Sequence, residues 1–356
     1  MLSYRKLAMR VLGRPLHTEG ISSPHPASQR AAAFILTAAM LTTLAAPAFA
    51  DIWHIEDGDI TVKASGTEGK NTVSQGNKKD VEDTNTIITN RDKNTASSHT
   101  VTIEAGNDKV EVTLKDVNIK ADSGSALTSK GDVTLTLKGD NHLTGGISDN
   151  GNYGLSGISS SGSLTISGGE TDSLMAQGGS GTDGSGGRGI FSKDLTISGG
   201  TVNANGGDGK NGSGGSGITS LGSLTISGGT VNAAGGDGTN SSDGGDGITN
   251  NRGVTISSGG TVTAKGGSGE DGSGGRGISS FGGVTISSGG TVTATGGNST
   301  GSDGSGGDGI SSTSTTISGG TVTADGGSGN FSGGNGIRSY DIDLSGSLEL
   351  TAKAGS

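Results

Sequence analysis

Aliphatic and polar positions alternate along most of this chain in a phrase that recurs with little change. It runs Leu195-Thr196-Ile197-Ser198-Gly199-Gly200-Thr201-Val202-Asn203-Ala204, and returns at Leu224 to Ala233, Val254 to Ala264, Val284 to Ala294 and Thr315 to Ala324. A diverged first copy begins at Leu164, and successive copies start 31, 29, 30, 30 and 31 residues apart. A Gly-Ile pair precedes each copy, with Ile158, Ile190, Ile218, Ile248, Ile278 and Ile310 in that place and Ile337 after the last. Period-two alternation is the signature of a strand with one buried face. Each unit therefore predicts three short strands: Gly-Ile-Ser/Thr-Ser, then Leu-Thr-Ile, then Thr-Val-Asn/Thr-Ala. The Ser-Gly-Gly between the last two reads as a corner, because glycine adopts positive φ at little cost.

One coil of three strands cannot bury its own inner face. Stacking coils about 4.8 Å apart gives every strand a neighbour above and below. The prediction is an all-β protein: a right-handed parallel β-helix, or β-solenoid, of about 30-residue, three-strand coils. The hand follows the crossover rule for parallel strands. Weaker units at Val112–Ile119 and Ala126–Leu143, and the closing Ile342, Leu344, Leu348 and Leu350, set the repeating region at 110–352. Residues 51–109 carry fewer glycines and more charge, and read as a cap over the first coil, with Trp53 either packed inside it or offering a platform for a sugar ring. The glycine-rich excursions between units read as loops that stay mobile.

Composition narrows the class. Glycine supplies 74 of 356 residues and proline only 4, without the strict triplet of collagen. Hydrophobic residues are 28% and aromatics 3%, too few for one thick core, which fits a thin core repeated along an axis. There is no cysteine, so disulfides do not staple the fold.

Residues 1–50 read as an export signal. Arg5, Lys6, Arg10, Arg14 and Arg30 precede an apolar run from Ala31 to Ala46, and Ala48-Phe49-Ala50 forms a small-x-small cleavage site. The mature chain is then secreted or held at the cell surface, without membrane insertion. Removing the segment takes away five of the 24 Lys and Arg and one of the 34 Asp and Glu, leaving a net charge of −14. A chain this acidic repels nucleic acid.

Three kinds of candidate site stand out. Gly178-Gly179-Ser180-Gly181-Thr182-Asp183-Gly184 and Gly266-Gly267-Ser268-Gly269-Glu270-Asp271-Gly272 resemble the Gly-Gly-x-Gly-x-Asp turn that binds calcium. Asp183, Asp237, Asp243, Asp246, Asp271, Asp303 and Asp308 then form either a calcium-binding edge or a solvated acidic one. Thr261/Thr263, Thr291/Thr293 and Thr321/Thr323, with Thr201/Asn203 and Thr230/Asn232, form two outward columns. Such a grid is either an ice-binding face or simply good exposed strand formers. Leu221, Phe281 and Tyr340 follow Gly-Ile by three residues, with Phe191 nearby, and offer apolar surface for sugar rings or for corner packing. No set of clustered carboxylates or Ser-His-Asp constellation is legible, and the expectation is a protein that is not an enzyme.

The unit Gly-Ile-x-Ser-x-x-x-Leu-Thr-Ile-Ser-Gly-Gly-Thr-Val-x-Ala, preceded by Val112-Thr-Leu-Lys-Asp-Val-Asn-Ile and Ala126-Leu-x-Ser-x-Gly-Asp-Val-Thr-Leu-Thr-Leu, resembles the secreted bacterial carbohydrate-binding β-helix domain known from clostridia and related bacteria. The resemblance covers roughly 110–350. It implies a right-handed parallel β-helix, calcium in some members, and binding to plant cell-wall or other polysaccharides without cleavage, so the expected partner is a polysaccharide or cell-surface glycan. The family's Asp before Gly-Ile is present here at Asp246 and Asp308, while Arg188, Ser216, Arg276 and Asn335 replace it elsewhere. The expected role is thus a non-catalytic, carbohydrate-binding or adhesin-like surface, with a structural spacer lacking its own ligand as the alternative.

Overall fold

The computed structural model describes residues 51–356 apart from Glu68, Ser241 and Ser288. The proposed export signal at 1–50 lies outside the described residues. Nearly every element is a strand, joined by one short 3-10 turn at Ile55–Asp57. The strands stack as a parallel β-solenoid. Its third segments form a nine-stranded sheet running from Asn118–Lys120 to Leu348–Lys353, and the first two segments of each coil build an eighteen-stranded sheet.

Register is copied from coil to coil. Ile158, Ile190, Ile218, Ile248, Ile278, Ile310 and Ile337 pair in unbroken succession. Ile166, Ile197, Ile226, Ile256, Ile286, Ile317 and Leu344 form a second column. Val202, Val231, Val262, Val292 and Val322 form a third, beside an alanine column at 204, 233, 264, 294 and 324. All but Ile337 and Leu344 are buried. Each large aliphatic removed from water contributes about 1.5–3 kcal/mol, and the ladder repeats that gain in every coil.

The ladder starts well before residue 110. Ile158 pairs with Leu127, Leu127 with Val101, and Val101 with Ile60. Residues 51–109 are therefore partly solenoid. Ile60–Ala64 and Thr86–Thr89 both lie parallel on the long strand Val101–Lys115, and Ile52–His54 lies on Thr86–Thr89. Among the described strands, the hairpin of Asn71–Gln75 and Lys78–Asp83 departs from the parallel pattern. Trp53 is buried, donating its indole N–H to Asp83 Oδ2 at 3.0 Å.

A polar column runs inside one corner. Ser160, Ser192, Ser220, Asn250, Ser280 and Ser312 are buried one above another. Ser220 Oγ donates to the Ser223 carbonyl at 3.1 Å, and Asn250 Nδ2 to the Gly222 carbonyl at 2.7 Å. Ser160 and Ser280 likewise donate to the carbonyls of Gly162 and Gly283, so four members of the column pair backbone carbonyls at the corner, while the buried Ser192 hydroxyl has no partner among the described residues. Thr315 fills an aliphatic position with its hydroxyl 2.7 Å from that of Ser312.

The glycine-rich excursions are packed, contrary to the expectation of mobile loops. Each folds back on itself so that two glycine pairs lie side by side, as Gly235-Gly236 and Gly244-Gly245 do. The amide of Gly245 donates to Gly236, that of Gly236 to Gly215 one coil below, and that of Gly215 to Gly207. The same zigzag rises through Gly267, Gly275, Gly297, Gly307, Gly327, Gly334 and Gly355. None of these glycines has positive φ. Close approach is what requires them: a Cβ on Gly236 would overlap the carbonyl oxygen of Gly207, and one on Gly245 that of Gly215.

Candidate ligand-binding trough

The returning limb of each excursion brings two polar positions to the surface, one on either side of its glycine pair. The first positions stack as Ser213, Asp243, Ser273, Ser305 and Ser332, and the second as Ser216, Asp246, Arg276, Asp308 and Asn335. Between them lie Gly214, Gly244-Gly245, Gly274-Gly275, Gly306-Gly307 and Gly333-Gly334. Missing side chains leave a channel there. The result is a trough of about 540 Å³, floored by backbone and railed by hydroxyls, carboxylates and guanidinia, with Arg338 at one end. It crosses five coils, so it runs about 19 Å along the axis at the strand spacing.

The rails are tied from coil to coil. Asp243 Oδ1 accepts the Ser273 amide at 2.7 Å, and Asp246 Oδ1 accepts the Arg276 amide at 2.7 Å. Asp246 Oδ2 also accepts the Thr249 hydroxyl at 3.0 Å. Burial pushes the Asp246 carboxyl above its ordinary range, against the lowering effect of these bonds and of the Arg276 charge. Asp308 is buried and accepts both the amide and Nδ2 of Asn335 at Oδ1, each at 2.9 Å. Its Oδ2 lies 2.9 Å from Arg338 Nε and 3.8 Å from Arg276 Nε.

The sequence-predicted acids fall into separate places. Asp243, Asp246 and Asp308 line the trough, while Asp237 belongs to another column, where its Oδ1 accepts the Ser268 amide at 2.7 Å. Asp183, Asp271 and Asp303 are exposed, and Asp183 Oδ1 accepts Asn211 Nδ2 at 2.6 Å. Among the described residues no three His, Cys, Asp or Glu side chains come together in a group that could hold a metal ion.

The apolar candidates line no part of the trough: Phe281 and Tyr340 lie on the strands Ile278–Ile286 and Ile337–Leu344, and Leu221 follows the strand Ile218–Ser220. Leu221, Phe281 and Tyr340 expose 44%, 74% and 95% of their surfaces, far more than corner packing would leave. Phe191 differs, because the Arg188 guanidinium lies 5.2 Å from the centre of its ring. Tyr340 and Arg338 share the strand Ile337–Leu344 two positions apart, hence about 7 Å from one another on one face. Thr261, Thr291 and Thr321, and beside them Thr263, Thr293 and Thr323, stack in register on the other sheet. They line no part of the trough.

The trough itself escaped sequence reasoning. Its signal was the recurring Ser-Gly-Gly-x-Gly-Ile, in which the variable residue before Gly-Ile is the second rail. Set against family models, curated proteins and solved structures, the chain has no match in any of the three.

Proposed function

We propose that the protein is an exported, non-catalytic glycan-binding β-solenoid that holds a polysaccharide lengthwise in the trough. The observation that carries this reading is the long, polar, glycine-floored channel, together with the exposed rings of Phe281 and Tyr340 on the strands that follow Arg276 and Asn335. A sugar chain needs hydroxyl and carboxylate partners along its edges and an apolar face for its rings, and the protein exposes both kinds of surface. Binding without cleavage fits the acids in place, since Asp246 and Asp308 each spend both oxygens on protein donors. The polar rails and exposed rings are more than a spacer requires.

Pull-down of the purified protein on a panel of insoluble polysaccharides tests the reading. Retention on at least one is expected, and its loss in the Phe281→Ala, Tyr340→Ala double variant with an unchanged melting curve. Retention on none of them overturns it and leaves the spacer role.

A further inference from the structure

The two ends of the rod are finished differently. At the first, the ladder through Ile60 runs on into the antiparallel hairpin of Asn71–Gln75 and Lys78–Asp83, whose outer strand carries Lys78, Lys79, Asp80 and Glu82. A charged edge of this kind discourages further pairing. At the other end, Ile337–Leu344 and Leu348–Lys353 pair on one side with Ile310–Ile317 and Gly320–Asp325. Among the described residues no strand pairs with their other side. Ile342 and Leu344 are 47% and 48% exposed there, and Ile337, Leu348 and Leu350 are only partly buried.

The backbone of this last coil fixes which peptide groups are unused. The carbonyls of Gly336 and Lys353 accept the amides of Ile310 and Gly326 from the coil beneath, at 2.9 and 2.8 Å, and the Ser345 amide donates to Ile317 there at 3.0 Å. Successive residues of a strand turn their N–H and C=O groups to opposite sides. Ile337, Ser339, Ile342 and Leu344 therefore aim theirs away from the rod, as do Leu348, Leu350 and Ala352. The same residues continue the inner columns, Ile337 over Ile310, Leu344 over Ile317 and Leu350 over Val322. One face thus combines unpaired backbone with side chains of the interior type.

A second copy, turned over about a twofold axis across the rod, answers both. Antiparallel strands exchange hydrogen bonds between residues that face one another, so outward-turned residues must meet outward-turned residues. Pairing Ile337 with Leu344 and Ser339 with Ile342 of the second copy achieves this along the whole strand, and the twofold maps that register onto itself. It also sets Arg338 opposite Asp343. In Leu348–Lys353 the register centred on Thr351 pairs Leu350 with Ala352 and sets Glu349 opposite Lys353. Opposite charges meet in both strands, and among the described residues Glu349 and Lys353 take part in no ion pair. Head-to-tail stacking would instead set this face against the charged hairpin.

We infer that the last coil is a self-association face, on which two copies of this chain join tail to tail as a closed twofold dimer. Both sheets continue antiparallel across the joint, and neither copy keeps an open edge there.

Sedimentation velocity on the purified protein, from about 1 to 100 µM, tests this. The mass is expected to rise to twice that of the monomer and to stop. Ala352→Pro removes an outward amide that the coil beneath does not use, so it should leave the melting curve in place and weaken the dimer about ten-fold or more. Glu349→Lys or Lys353→Glu alone sets like charges opposite one another twice, and should weaken it about ten-fold, while the two together should restore it. Melting curves identify any variant that fails to fold, and the mass of the unaltered protein needs no variant. A monomer throughout, which would leave the face to a strand of some other chain, overturns the inference. So does growth past two copies, the mark of head-to-tail stacking, or a dimer that the proline and the charge exchanges leave unchanged.

Discussion

The amide of Gly245 donates to the carbonyl of Gly236 within one coil, at 2.8 Å, and Gly236 in turn donates at 2.8 Å to Gly215 in the coil beneath. Hydrogen bonding therefore alternates between closing a coil and joining it to its neighbour. Glycine is used here for its lack of a side chain, and its torsional freedom is incidental.

Two alanine substitutions separate these roles. In Gly245→Ala the new methyl would overlap the Gly215 carbonyl, and a cost of about 2–3 kcal/mol or more is expected. In Gly253→Ala the nearest atom, the Gly283 carbonyl oxygen, lies 3.6 Å away, and the change should stay within about 1 kcal/mol. Urea denaturation followed by circular dichroism reads both; similar losses would contradict the packed arrangement.

Acid should weaken the corner around Asp172. This buried carboxylate accepts the amides of Gly169 at 2.8 Å and Gly139 at 2.9 Å, with Lys138 Nζ at 3.2 Å. Those amides, and then the lysine, hold its pKa below the ordinary 3.8. A lowered folded value means that the stabilisation is complete above the unfolded pKa and disappears as pH falls through the folded one. Asp172→Asn should thus melt lower than the unaltered protein near neutral pH, with the gap closing below 3.8. A gap that stays constant across that range would show the carboxylate charge to be irrelevant.

Trp53, the single tryptophan, reports on the N-terminal coils. It is 2% exposed, so blue-shifted emission is expected. Asp83→Ala strands its indole N–H in a buried site, at a cost of about 1–3 kcal/mol. Since each coil touches only its neighbours, the fluorescence transition should move to lower temperature than the far-ultraviolet one. Coincident shifts would mean that the N-terminal region and the rod unfold together.

The aliphatic ladder was legible because Ile218, Ile248 and Ile278 return at a nearly constant interval with strand alternation on either side. Ile60 and Val101 occupy the same column but were hidden. The chain between them carries a hairpin instead of a glycine excursion, so no fixed period points to them. The packed glycines were misread because their sequence is that of a flexible linker, and only the neighbouring coil reveals that the space beside each Cα is already filled. The trough stayed hidden for a related reason. Asp246, Arg276 and Asp308 hold the place before Gly-Ile in successive repeats, but that a channel separates them from Asp243, Ser273 and Ser305 depends on how each excursion folds back.

Because each turn of the rod meets only the turns above and below it, in a register every interior column repeats, the molecule can be lengthened or shortened by whole units without redesigning any junction. A duplicated segment of about 30 residues would arrive with its own rail positions already aligned. The length of the trough and the order of charges along it are thus two separately adjustable properties: the first is set by how many units are present, the second by which side chain each contributes.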